Sequence, residues 1–345
     1  MTIQRLLGVL LLALSVQTGA RAQSDVPIIS GGVGFVSTTD GGQQFMQPVI
    51  APVIAAPVGD RWLFESRLDL REFIYQPGQS GPYSHQFFDT IEYAQVDYTA
   101  ASWLTIVAGR FLTPFNMYNE RFTPIWSRNL MDAPIIFAIG TRTNGYNDGL
   151  MTRGVLVSRK NYQLSYTAYF SSLSTIKKLE SGRSTGARIG VFFPTAGLEV
   201  GGSYQKLLQD ARENSVGAYA SWQPGQGPLT VRAEYAHSPL GQGFWLEGAY
   251  RFSRFRGPDS LLGRLQFVGR AQQYVHGLPD PTFALPGSDT QRGEFGWNYY
   301  LPHEVRLNAS YGRQFSPAGN ANIWNFAITY RFLFPLYPGR SGASQ

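Results

Sequence analysis

Apolar and polar residues alternate at every second position through most of this chain. Tyr162, Leu164, Tyr166, Ala168 and Phe170 interleave with Gln163, Ser165, Thr167 and Tyr169. Leu198, Val200, Gly202 and Tyr204 interleave in the same way with Glu199, Gly201, Ser203 and Gln205. Successive side chains of a strand point to opposite faces, so this period predicts strands with one apolar face. Turn residues break the pattern into segments of about 10 residues, the spacing of an antiparallel barrel that crosses a membrane.

Read this way, the chain divides into about 16 strands. They span 28–36, 44–54, 60–75, 86–99, 102–110, 148–158, 161–172, 183–193, 196–206, 214–224, 228–238, 242–253, 262–273, 290–301, 303–315 and 321–333. An even count puts both termini at one end, where the turns of such barrels are short, and gives the other end the longer loops. The connections 100–101, 159–160, 194–195 and Pro302 fit the short class, and 76–85, 173–182 and 274–289 fit the long one. Those near 239 and 254 break the rule, which suggests a misplaced strand there. Between the fifth and sixth strands, Phe111 to Asn147 far exceeds a hairpin loop. Its prolines, Trp126 and several arginines suit a segment folded into the lumen.

A soluble sandwich would alternate too. In 321–333, however, Trp324, Phe326, Ile328, Tyr330 and Phe332 share one face, while Asn325, Ala327, Thr329 and Arg331 share the other. An aromatic-rich outer face suits lipid, with Trp and Tyr marking the interfaces. The N-terminus adds Arg5, an apolar run from Leu6 to Val16 and the sequence Ala20-Arg21-Ala22. That order predicts a secretory signal over 1–22, a barrel over 23–334 and a tail over 335–345, placed in a bacterial outer membrane.

Composition agrees with export. The chain has 345 residues, no cysteine, 38 glycines and 14% aromatic residues. Only 15% are charged, against about 25% in soluble domains. Without cysteine there is no disulfide framework, thiol nucleophile or thiolate metal site. Loss of Arg5 and Arg21 with the signal would lower the net charge from +6 to +4. No basic run or helix tracks a nucleic-acid backbone, so that partner is excluded.

If the apolar parity meets lipid, the other parity lines the lumen. It carries Arg67, Arg71, Arg188, Arg232, Arg251, Arg264, Arg270, Arg292, Arg306 and Arg331 against Glu65, Asp69, Glu199, Glu234, Glu247 and Glu294. Charges at these positions would be costly facing lipid. Some can pair along one strand, as Glu65 with Arg67 or Arg232 with Glu234. Arg110, Arg121, Arg128 and Arg142 lie in or beside the long loop with Glu120, Asp132 and Asp148, the candidate constriction. A cationic wall opposite an acidic loop would set a field across the pore, and arginine rings favour anions.

Enzymatic chemistry finds little support. His85, His237, His276 and His303 fall at predicted strand ends or in loops. The chain has no zinc-protease, phosphate-loop or dinucleotide motif, and the reading requires no cofactor or metal. Wall strands consume the mature length, leaving no room for a plug domain.

Several local motifs resemble the phosphate-selective porin O and P family and related outer-membrane porins. They are Ala108-Gly109-Arg110-Phe111 with Thr113-Pro114-Phe115, Asn119-Glu120-Arg121 with Pro124, Arg153-Gly154-Val155-Leu156-Val157, and Gly296-Trp297-Asn298-Tyr299-Tyr300-Leu301 leading into Val305 to Tyr311. The resemblance implies a 16-stranded barrel with a pore-folded loop after the fifth strand, assembled as a homotrimer. Phosphate-selecting members use constriction lysines, whereas no lysine precedes Lys160 here. The expected function is passive diffusion of small polar solutes, with weak anion preference. A structural or adhesive barrel is the alternative, and uptake of hydrophobic compounds would need an apolar pocket inside.

Overall fold

The computed structural model describes residues 26–76, 81–141, 145–172, 174, 181–209, 212–280 and 284–336. The predicted signal, Arg142 and most of the predicted tail lie outside the described residues. The strands are β1 (Ile28–Asp40), β2 (Gln43–Val58), β3 (Trp62–Tyr75), β4 (Ser84–Ala101), β5 (Leu104–Leu112), β6 (Tyr146–Ser158), β7 (Gln163–Ser171) and β8 (Ser184–Phe193). They continue as β9 (Leu198–Leu207), β10 (Asn214–Trp222), β11 (Leu229–Ser238), β12 (Gly241–Arg251), β13 (Leu265–His276), β14 (Thr290–Tyr300), β15 (Val305–Phe315) and β16 (Ala321–Pro335).

Each strand pairs antiparallel with its sequence neighbour, and β1 pairs with β16 from Ile28 opposite Pro335 to Asp40 opposite Ile323. Closure satisfies the backbone groups that an open edge would leave bare in hydrocarbon. The predicted parity holds at β16: Trp324, Phe326, Ile328 and Tyr330 are exposed outside, and Asn325, Ala327 and Thr329 are buried inside. Aromatic contacts such as Trp62 with Tyr98 and Tyr311 with Trp324 sit among exposed side chains of the outer face. No helix among the described residues is long and apolar enough to cross a membrane.

The two exceptions to the turn rule are real features rather than misplaced strands. Residues 239–240 form a tight turn at the loop end, because β11 and β12 continue into each other from Ser238 opposite Gly241. At the opposite end, 252–264 carries a short helix, Ser253–Arg256.

Candidate functional site

The connection 113–145 enters the barrel and carries two short helices, α1 (Tyr118–Phe122) and α2 (Ala138–Thr141). Its base is drawn shut by Asn119, whose side-chain amide donates to the carbonyls of Thr113 (3.0 Å) and Gly145 (2.6 Å). The start of α1 has backbone donors with no helical partner. Glu234 on β11 supplies one: Met117 and Tyr118 donate their N–H groups to its carboxylate at 2.8 and 2.7 Å. The indole of Trp245 on β12 donates to the other oxygen at 3.1 Å.

An apolar keel fixes the loop further. Phe115, Met117, Tyr118, Ile135, Ile136 and Ile139 pack against Tyr219, Ala236, Leu240, Trp245 and Tyr274 of the β10–β13 side. Inward glycines make room for it. A Cβ on Gly34 would lie 2.6 Å from the Ile125 side chain, and one on Gly243 would lie 2.6 Å from Ile136. Gly32 seats Trp126 and Gly217 seats Asn116 in the same manner.

Wall charges on this side are consumed by the loop. Arg306 donates to the carbonyls of Arg128 (2.5 Å) and Ile125 (2.6 Å), and Arg270 donates to that of Asp132 (2.8 Å). Arg270 also pairs with Glu247 at 2.7 Å and lies 3.6 Å from Glu294, all three nearly inaccessible. Arg188 pairs with Glu120, and Arg121 forms a two-pronged pair with Glu199 at 2.7 Å. Hydrogen bonding to Glu199 holds the Arg121 guanidinium above its ordinary value, so it stays charged. Arg292 lies 4.0 Å from Asp132, and Arg128 turns inward to the loop's own carbonyls at Thr123 and Met131.

The β3–β6 wall differs. Its arginines pair with acids on the wall itself: Arg67 with Glu92, Arg71 with Asp69, Arg153 with Asp97, and Arg110 with Asp148. Glu65 accepts only from Gln95, at 3.3 Å, among the described residues. A cavity of about 160 Å³ lies between Glu120 of the loop and Glu65, Arg67, Tyr93 and Arg153 of the wall. A bulge in β4 helps build it. Arg67 pairs with Tyr93 and Leu68 with Ile91, so Glu92 is the extra residue and turns toward Arg67 beside the inward Tyr93. Bulges commonly re-aim side chains in this way.

Several sequence-derived assignments change position. Arg110 and Asp148 do not oppose each other across the pore; they are register partners on β5 and β6, joined by two bonds of 2.7 Å. Glu120 and Asp132 do not face a distant cationic wall, because Arg188 and Arg292 lie against them. Arg264 belongs to the 252–264 connection and not to a wall strand. Arg331 is exposed near the end of β16. The same-strand ladders are replaced by cross-strand pairs, since Arg67 meets Glu92 and Arg232 approaches Glu247 at 3.6 Å. Arg232 also covers the Phe122 ring at 3.9 Å. Arg251 stacks on Tyr300 at 4.4 Å.

Asp97, Arg153 and Glu92 were missed. The first two share the inward parity and were legible; the third depends on a bulge that alternation does not reveal. Among the described residues no His, Asp and Glu cluster is placed to hold a metal. His85 sits beside Glu72 at 3.2 Å, a mostly exposed pair.

No family model and no curated protein matches the chain. Solved structures do. A loop-deleted OmpT, an outer membrane protein of Vibrio cholerae, superposes with a TM-score of 0.57 at 11% identity, covering 89% of this chain and 100% of that one. Salmonella typhi OmpF in complex with daunomycin gives 0.57 at 13% identity, with 89% and 97% covered. An anion-selective porin from Comamonas acidovorans gives 0.55 at 10% identity, with 89% and 98% covered. The fold is that of outer-membrane porins. The barrel and its enclosed loop are as expected from the sequence, at the level of the general porin architecture rather than the phosphate-selective family.

Proposed function

We propose that the protein is a passive diffusion channel for small polar solutes, with modest anion preference, in a bacterial outer membrane. The observation that carries this reading is the polar cavity between Glu120 and the β3–β6 wall, opposite the side where the loop is anchored. The anchored loop narrows the lumen, and charged walls bias which ions pass. Arg67 and Arg153 face Glu65 and Glu120 there, an even balance that makes any selectivity weak. The bias toward anions comes from inward arginines held by carbonyls instead of acids, Arg251 and Arg306. The likeness to porins also supports a homotrimer, checked by the mass of the detergent-solubilised protein.

Planar-bilayer recording tests the channel reading. Stepwise conductance with a reversal potential displaced toward the chloride equilibrium in a potassium chloride gradient is the expected result. A clear cation preference removes the anion assignment, and absence of conductance favours a structural barrel.

A further inference from the structure

The connection between β12 and β13 is long at an end where its neighbours are short, and this excess builds something. Residues 252–264 are internally ordered. Gly263 N–H donates to the Ser260 hydroxyl at 2.9 Å, that hydroxyl donates to Gly257 O at 2.9 Å, and Arg251 Nε donates to Gly263 O at 3.1 Å. The segment and the 223–228 turn border an open recess of about 460 Å³ over the ends of β11–β14. It lies at the barrel end that carries both termini, since both connections follow even-numbered strands.

Its chemistry is one-sided. Gln223, Thr230, Arg251, Ser253, Arg254 and Gln266 line it together with Tyr300, and no carboxylate does. Most other arginines inside this barrel either come with acids, as Arg67 with Glu92 or Arg270 with Glu247, or end on carbonyls of the docked loop, as Arg306 and Arg128 do. Here Arg251 is held by a backbone carbonyl and by the face of Tyr300. Those contacts fix its plane and leave its charge uncompensated. Arg254 is exposed and makes no ion pair among the described residues. Two guanidinium groups, hydroxyls from Thr230 and Ser253, and no acid form a donor set for a ligand rich in oxygen acceptors, because the guanidinium fork matches carboxylate and phosphate geometry.

We infer that this recess is a binding site for small oxyanions, the shared chemistry of inorganic phosphate and short dicarboxylates, at the mouth of the lumen. The inference rests on the reading that the lumen carries solutes: the site would concentrate anions where they enter or leave it. It requires no movement of the loop.

Calorimetric titration of the folded protein in detergent with sodium phosphate, and separately with sodium succinate, tests the site without relying on conductance. Saturable binding of either anion is expected, weakened at least about tenfold in Arg251→Gln/Arg254→Gln, the loss of a charge-assisted hydrogen bond. Arg254→Gln alone removes no hydrogen bond or ion pair among the described residues and is expected to weaken binding while leaving thermal unfolding unchanged, which keeps the test independent of folding damage. No saturable binding to the unaltered protein overturns the inference, as does undiminished binding in both variants. Phosphate binding without succinate binding supports the site and restricts it to phosphate-type anions. Binding without any conductance in bilayers supports the site and removes the channel reading instead.

Discussion

The two sides of the lumen solve the same problem in opposite ways. On the β10–β14 side, wall charges end on the loop: Glu234 holds the start of α1, and Arg270 reaches the carbonyl of Asp132. They are buried with an apolar keel around Trp245 and Tyr274. On the β3–β6 side, each arginine ends on a carboxylate of the wall, and Arg153 keeps 38% of its side chain accessible. One set anchors the loop; in the other, Arg71 and Arg153 stay in contact with the solution that fills the pore, while Arg67 and Arg110 are buried in their pairs. Inward parity alone assigns both sets to the lumen; only the partner separates their roles.

Removing an anchor should therefore cost far more than removing a pore charge. Arg270→Ala takes the nearest cation from the buried Glu247 and Glu294, leaving them only Arg232 at 3.6 Å and Arg292 at 3.9 Å. The expected loss is about 3 to 5 kcal/mol, read as a lower urea midpoint of the detergent-folded barrel. A loss no larger than that of a pore-side arginine would abolish the distinction between the sides.

Glu234→Ala tests the anchoring of the loop more directly. It strips the acceptor from two backbone N–H groups and from the Trp245 indole. Leaving buried donors unmet costs about 1 to 3 kcal/mol. The freed α1 should also raise conductance and its fluctuations in single-channel records. Unchanged conductance would mean that the keel around Phe115 and Ile139 holds the loop alone.

These anchors show what alternation could and could not convey. Strand positions were legible because each needs an apolar outer face, and the boundaries follow from turn residues. The rule that apolar residues face lipid fails at Trp245, Tyr274, Val107 and Val268, all buried inside. Trp245, Tyr274 and Val268 are apolar because the loop covers them, whereas Val107 packs on Phe111, Met151 and Tyr169 of the wall itself; no periodicity records what lies on the far side of a wall. Glycines on the inward parity, such as Gly34 and Gly243, were the available signal, since a missing side chain on a strand marks a close approach. Likewise, a list of lumen charges is legible, whereas the partner each takes depends on register and on the bulge at Glu92.

Pore-side changes should act on selectivity with little effect on stability. Arg71→Ala breaks a partly exposed pair with Asp69. The cost should be about 0 to 1 kcal/mol, while the unpaired carboxylate shifts the reversal potential toward cations. A stability loss equal to that of Arg270→Ala would place Arg71 among the anchors.

The smallest effect is expected at the border between the two sides, the seam of β2 and β3. Val49 and Ala51 of β2 pack on Ile125 of the loop, and β3 begins the solution-facing wall. Residues 47–48 and 51–52 lack ladder partners on β3, although their pairing with β1 is complete. Pro48 and Pro52 explain the gaps, because proline has no N–H to donate. Pro48→Ala would restore one donor, worth about 0.5 to 1.5 kcal/mol. It would also return about 0.4 to 1 kcal/mol of freedom to the unfolded chain. The two nearly cancel, so the net change in stability read from the urea midpoint should lie within about 1 kcal/mol of zero. Slower amide exchange along β3 around Glu72, which the register places opposite Pro48, would show the rung itself. If exchange there is unaltered, the seam is opened by the geometry of the docked loop rather than by the missing donors, and the two sides are mechanically joined at that strand.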